Sequence, residues 1–327
     1  MRKIHTSFVI LLLSLFALHV NAANYIGAVT KNKKPPFRVV GYVMSHGNLD
    51  TASSKVNFKQ ITHLNVAFLN PDSLGNLTAP IGLNSLIEKA HAENVKVLFS
   101  FGGGNPPVFL KKLLQSNNRE LWVTNMLAFA DEYRFDGIDV DLEGDFIDSN
   151  YDALINSLSS ALKPNKKLLT AAVATWNGHT ISDEALSLFD FINVMAYDHT
   201  GPWNKSNPGQ HSSYKDAVAD FDYWNTERGI SADRLILGLP YYGYGFGASI
   251  PASLTYSDIL ARYPDAAKTD SVTIADQGTI YYNGVSTITK KVKFVVKKHG
   301  GGVMIWQLLG DAQGDNSLLT IINNIKK

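Results

Sequence analysis

Asp136, Asp139, Asp141 and Glu143 fall within FDGIDVDLEGD (135–145), where five of eleven residues are acidic and Ile138, Val140 and Leu142 alternate with them. A solvated charge run does not alternate so regularly with large apolar side chains. Period two is the pattern of a β-strand, which sends alternate side chains to opposite faces. Asp139, Asp141 and Glu143 therefore share one face and Ile138, Val140 and Leu142 the other. Asp136 has the opposite parity, which predicts a structural role at the strand entry. Three carboxylates on one buried face cannot all ionise cheaply, since burial and like charge both favour the protonated form. A glutamic acid kept protonated in this way can serve as a general acid. A metal site, a salt-bridge network or a solvated edge strand would show the same alternation.

The elements that would position such a strand recur along the chain. Apolar, β-rich runs lie at 37–43, 61–69, 95–101, 136–143, 167–175, 191–197, 234–242 and 301–309. Helix-like sequence separates them, as at 84–94, 119–133 and 214–229, and 316–327 reads as a closing helix. Nearly continuous apolar strands suit parallel pairing with both faces covered. Eight βα units predict an α/β fold, a (β/α)8 TIM barrel, with active residues at the C-terminal ends of the strands. An open doubly wound sheet shares this periodicity. The stretch from about 244 to 300 is long for a loop and reads as a small insertion between the seventh and eighth strands.

The chain has 327 residues, 30 basic against 29 acidic, and no cysteine. That near balance gives no electrostatic footprint for nucleic acid. The lack of cysteine excludes disulfides, thiol nucleophiles, a lipidated cysteine and Cys-zinc sites. The histidines show no HExxH spacing, so no metal and no cofactor is expected. Residues 1–22 begin with Arg2 and Lys3, run apolar from Phe8 to about Val20 and end in Val20-Asn21-Ala22. That is the form of a cleavable signal peptide, predicting a secreted or periplasmic protein with no membrane attachment after processing. Residues 23–36 read as a linker and 37–327 as the catalytic domain. His299-Gly300-Gly301-Gly302 has no GxSxG partner for lipase chemistry, and Gly243–Gly247 lacks the context of a dinucleotide site.

Asp136-Gly137-Ile138-Asp139-Val140-Asp141-Leu142-Glu143 resembles the DxxDxDxE signature of glycoside hydrolase family 18, the chitinases and their relatives. Other segments agree in order. Ser100–Gly103 resembles the SxGG of the third strand, Met195–Asp198 the MxYD of the sixth, Gly238–Gly243 the seventh-strand segment, and Gly302–Trp306 the strand that carries the tryptophan floor of the sugar site. Tyr42 and Phe68 stand where that family places aromatics on the first two strands.

The resemblance implies retaining, substrate-assisted hydrolysis, an exception to the two-carboxylate scheme. Glu143 would be the acid and base. Asp141 would bind the acetamide N–H, Asp139 would share a proton with Asp141, and Tyr197 would donate to the acetamide oxygen. Tyr42, Phe68, Gly102, Gly103, Met195, Asp198 and Trp306 would line the site. Trp176, Trp203, Tyr241 and Tyr242 are looser candidates for outer subsites. The implied partner is a polysaccharide or oligosaccharide containing N-acetylglucosamine, taken by a monomer. Leu142 and Tyr244 depart from the Trp and Arg common in chitinases. The short insertion predicts a low wall, an open groove and endo-type cutting. Chitinase, endo-β-N-acetylglucosaminidase on N-glycans, and a non-catalytic lectin on the same barrel are the competing functions.

Overall fold

The computed structural model describes residues 36–326. The signal peptide and nearly all of the linker expected from the sequence lie outside them. Eight parallel strands close a barrel: β1 (Arg38–Met44), β2 (His63–Ala67), β3 (Lys96–Gly102), β4 (Gly137–Asp141), β5 (Leu168–Val173), β6 (Phe191–Val194), β7 (Leu235–Pro240) and, after an insertion, β12 (Gly302–Trp306). β12 closes against β1 in register Val39↔Val303 and Val40↔Met304. The (β/α)8 expectation holds, and the open-sheet alternative does not.

The two faces of each strand have separate fates. Ile138, Val140 and Leu142 are buried in the large core between the barrel and its helices, with Trp122, Phe99 and Leu154. That layer explains the near-continuous apolar runs, because outward residues meet helices instead of water. The helices start on side-chain caps: Asp148 accepts from Asn150 N and Tyr151 N before Ser149–Leu162, and Ser213 accepts from Asp216 N before Tyr214–Asp222. Such a cap satisfies N–H groups that the helix itself leaves unpaired. A smaller cluster fills the barrel interior, with Tyr42, Phe191, Ile236 and Met304 buried and Phe68, Met195, Tyr197 and Trp306 packed over it.

Asp136 lies just before β4. It accepts hydrogen bonds from Lys96 Nζ at 2.7 Å, Val97 N at 2.8 Å and His91 Nε2 at 2.9 Å. Burial pushes its carboxyl up, but these donors outweigh burial and hold it below the ordinary value. It braces the entry to β4, away from the catalytic mouth.

Between β7 and β12 the chain builds an antiparallel sheet of β8 (Tyr242–Phe246), β9 (Ser253–Thr255), β10 (Ser271–Ile274) and β11 (Gly278–Tyr281), in the order β10-β11-β8-β9, with the helix Tyr256–Arg262. The helix Val285–Lys297 then packs on the neighbouring helices and on β12. The inserted sheet thus begins at Tyr242, before the 244 expected. Strands of three to five residues give too few alternations to read from the sequence.

Candidate active site

Strand register assembles the site. β3 pairs with β4 so that Ser100 lies opposite Asp139 and Gly102 opposite Asp141. β4 pairs with β5 so that Asp139 lies opposite Thr170. β4 ends at Asp141, yet Glu143 keeps extended backbone angles (φ −125°, ψ 161°), so the alternation carries past the last ladder bond. Asp139 is fully buried and Asp141 is 4% exposed, while Glu143 is half-buried.

Asp139 sits in a cage of donors. Its Oδ2 accepts from Tyr42 Oη at 2.6 Å and Ser100 Oγ at 2.8 Å; its Oδ1 accepts from Thr170 Oγ1 at 2.5 Å and Asn193 Nδ2 at 3.2 Å. A carboxylate offers about four accepting positions, so the set is full. Burial pushes its pKa up, and the four donors oppose the rise without cancelling it.

Asp141 has no such cage, and its Oδ1 is buried without a hydrogen-bond partner. Burial, then Glu143, then Asp139 drive its pKa well above the ordinary value. No hydrogen bond joins Asp139 to Asp141. Proton sharing between them requires Asp141 to turn inward and displace one of the donors to Asp139. Burial, then the charge of Asp198, raises Glu143. The three carboxylates thus form a graded column, from a fully hydrogen-bonded carboxyl at the bottom to an accessible acid at the rim.

Tyr197 follows the end of β6. Among the described residues its hydroxyl meets only Met304 Sδ, at 3.8 Å, and burial followed by the charge of Asp141 raises its pKa strongly. Asp198 takes a left-handed backbone (φ 65°) and accepts from Tyr242 Oη at 2.5 Å and His211 Nδ1 at 3.2 Å. Trp306 packs edge-on to Tyr42 at 5.4 Å and stacks on Phe68 at 5.6 Å between ring centres, which leaves it half-buried.

A cavity of about 480 Å³ next to Glu143 is lined by Trp176, Met195, Tyr197, Asp198, His199 and Asp220. A second, of about 360 Å³, is lined by Trp306, Asp198 and residues of the insertion, including Tyr242 and Tyr244. A third, of about 350 Å³, holds Gly103, Gly104, Lys111 and Asp145 and again touches Glu143. The insertion therefore contributes Tyr242, Tyr244, Ser253–Thr255 and Asp258 to one side of the cleft.

Not every expected residue faces the cleft. Tyr42 is buried below it and acts through Asp139. Gly102 lets the end of β3 close on β4, while Gly103 packs closely on Phe68 and also lines the third cavity beside Glu143. A Cβ on Gly102 (φ +104°) would lie 2.0 Å from the Asp141 carbonyl oxygen, and one on Gly103 (φ +87°) 2.5 Å from the Phe68 ring. Tyr241 is buried in the outer core and also borders the second cavity. Trp176 and Trp203 are 67% and 64% exposed, Trp176 over the first cavity and Trp203 against Tyr244.

Thr170, Asn193, His199, His211 and Asp220 were not singled out from the sequence. A single polar residue inside an apolar parallel strand, as in KLLTAAVAT and FINVMAY, is the signal that would have found Thr170 and Asn193. The other three lie on loops or a helix far apart in sequence, and no local pattern marks them. Among the described residues no group of His, Asp and Glu is placed to hold a metal ion.

The family model for glycosyl hydrolases family 18 matches residues 38–311. The chain belongs to this family. Family 18 relatives of known structure include the chitinase ChiB from the chitin utilization locus of Flavobacterium johnsoniae. It is 35% identical, with 89% of this chain and 94% of that one covered and a TM-score of 0.81. A chitinase from Bacteroides thetaiotaomicron is 31% identical over 89% and 96% of the two chains, with a TM-score of 0.78. The probable chitinase 10 of Drosophila melanogaster is 27% identical over 281 residues, 67% of this chain but 12% of that much longer protein.

Proposed function

We propose that the protein is a chitinase, a retaining, substrate-assisted hydrolase of β-1,4-linked N-acetylglucosamine polymers. The observation that carries this reading is the column Asp139–Asp141–Glu143, braced by four donors at the bottom, unpartnered in the middle and open at the top. Glu143 donates its proton to the glycosidic oxygen as the bond to the anomeric carbon breaks. The acetamide oxygen of the same sugar forms the new bond to that carbon, giving an oxazolinium ion and a carboxylate on Glu143. Glu143 then takes a proton from the water that opens the ring, which restores the acid.

Asp141 faces positive charge that develops only in this step. One of its oxygens accepts the acetamide N–H, and its pKa falls as the ring becomes cationic. Asp139, braced by its donors beneath, shares the proton that Asp141 gives up as the ring becomes cationic. Tyr197 donates to the acetamide oxygen; its hydroxyl is otherwise held only by a weak sulfur contact. Such preorganised groups act on the transition state more than on the ground state. Trp306 offers the sugar a flat apolar face. Substrates without the N-acetyl group lack the nucleophile and are not turned over.

Cavities on more than one side of Glu143 favour a groove that passes the acid, and hence endo-type cutting of a chain bound through the site. Residues 1–22 act as the export signal, residues 23–36 as a linker, and the barrel works as a monomer outside the cytoplasm.

Glu143→Gln keeps the shape and removes the proton. It retains binding of chitin oligomers and lowers hydrolysis by at least about a thousandfold, since general acid catalysis contributes ~10²–10⁴ and the base step is lost with it. Wild-type turnover by this variant refutes the assignment, and wild-type binding without hydrolysis of any substrate favours the lectin. Chitin oligomers, a high-mannose glycopeptide and peptidoglycan assayed side by side separate the chitinase from an N-glycan-cleaving enzyme. Endo action predicts polymer-viscosity loss well ahead of dimer release; comparable initial rates of the two contradict it.

A further inference from the structure

Glu143 borders the cavity of about 480 Å³, and Trp306 lines another; Asp198 is the residue common to both. If one sugar rests on Trp306 and the acid stands over its glycosidic oxygen, the first cavity takes the sugar on the far side of the bond. His199 and Asp220 both line that cavity. His199 Nε2 lies 2.9 Å from Asp220 Oδ2, with the histidine side chain 38% exposed and the aspartate 4%. Among the described residues His199 Nδ1 has no hydrogen-bond partner.

A surface histidine–carboxylate pair is usually a modest brace. This one differs in its arrangement. The carboxylate is the buried member, carried on the helix Tyr214–Asp222, and the imidazole is the exposed one, next in sequence to Asp198. A buried carboxylate fixes the ring and its tautomer through one nitrogen and leaves the other for a ligand, much as outer partners orient metal-bound histidines.

We propose that His199, oriented by Asp220, is a specificity-determining residue that binds the departing sugar, its Nδ1 engaging the acetamide carbonyl or a hydroxyl on the leaving-group side of the scissile bond. This rests on Glu143 being the acid. The hydrogen bond to Asp220 holds His199 above the ordinary histidine value, although burial opposes it; Asp216 adds to the rise and Lys291 subtracts from it. In acid, His199 presents a charged N–H to the acetamide carbonyl. Once deprotonated, with Nε2–H kept on Asp220, its Nδ1 presents a lone pair that the acetamide carbonyl cannot meet and that accepts only from a hydroxyl or the amide N–H. Leaving-side affinity therefore weakens as the pH rises through the His199 pKa.

The test compares two substrates of the full-length enzyme: the N-acetylglucosamine tetrasaccharide, and the phenyl glycoside of the disaccharide, whose leaving group has no amide. His199→Ala lowers kcat/KM for the tetrasaccharide about tenfold, or about 1.4 kcal/mol, and changes the phenyl glycoside less than twofold. His199→Gln recovers part of the loss, and its KM for the tetrasaccharide no longer follows pH in the histidine range. If His199→Ala fails to fold, His199→Gln and Asp220→Asn carry the same comparison. Equal losses on both substrates, or none on either, overturn the inference. A wild-type enzyme that hydrolyses neither refutes the chitinase reading, and this inference with it.

Discussion

Replacing Asp141 by Asn tests the electrostatics of the column through stability as well as rate. Asp141 is 4% exposed, and burial, Glu143 and Asp139 all favour its protonated form. In the unfolded chain the same carboxyl titrates at its ordinary value. Between the two pKa values the folded state holds a proton that the unfolded state has lost. Stability is therefore highest below the unfolded pKa, declines as pH rises through the window, and levels off above the folded pKa. Each pH unit of that window costs about 1.4 kcal/mol. Asparagine cannot ionise and escapes the cost. At pH 4 the two proteins should differ little through this effect. At pH 8 the Asn variant should be more stable relative to its pH 4 difference, seen as a rise in its Tm against wild type. Any constant offset from exchanging an unpartnered oxygen for an amide cancels between the two pH values. The assay is thermal unfolding of both proteins at pH 4 and pH 8. A Tm difference that is the same at both, or that moves against the variant at pH 8, refutes the reasoning. The same variant should lose activity about a hundredfold or more, the scale for removing a group aimed at transition-state charge. Its pH–rate profile should be displaced, because the limbs of the wild-type bell belong to the coupled carboxylates together.

Lys291 is fully buried, donates to Ser212 O, Ser212 Oγ and Asn283 Oδ1, each at 2.7 Å, and has its pKa pushed down to about 7 by burial, against the charges of Asp270, Asp216 and Asp220. Above pH 7 the unfolded lysine binds the proton that the folded one has released, so stability relative to Lys291→Met should grow from pH 7 to pH 9 by up to about 1.4 kcal/mol per pH unit; parallel denaturant-unfolding curves at the two pH values would contradict this. Gly102→Ala should destabilise the fold by more than about 3 kcal/mol, since it combines a left-handed backbone with a clash on the Asp141 carbonyl. A Tm within 2 °C of wild type, on the order of 1 kcal/mol, would show that the β3–β4 junction can relax.

The alternation of FDGIDVDLEGD decided that three carboxylates share a face, because period two is a property of the strand and needs no partner. The eight apolar runs decided a parallel sheet covered on both sides, and the ordered motifs pointed to the closed barrel. Asp136 was separable from the column by parity alone. What surrounds each carboxylate was not legible. Asp139 and Asp141 are two residues apart on one strand, yet one is caged by Tyr42, Ser100, Thr170 and Asn193 and the other keeps an unpartnered oxygen. That difference arises from the register of four other strands, and register is a tertiary quantity. The inserted sheet beyond β7 likewise depended on four short strands pairing with one another, a non-local event that no single strand announces. Glu143 could be named from the sequence. The four donors that brace Asp139 beneath it, and the His199–Asp220 pair beside it, exist only once the barrel has closed, because the chain distances that separate them are bridged by packing alone.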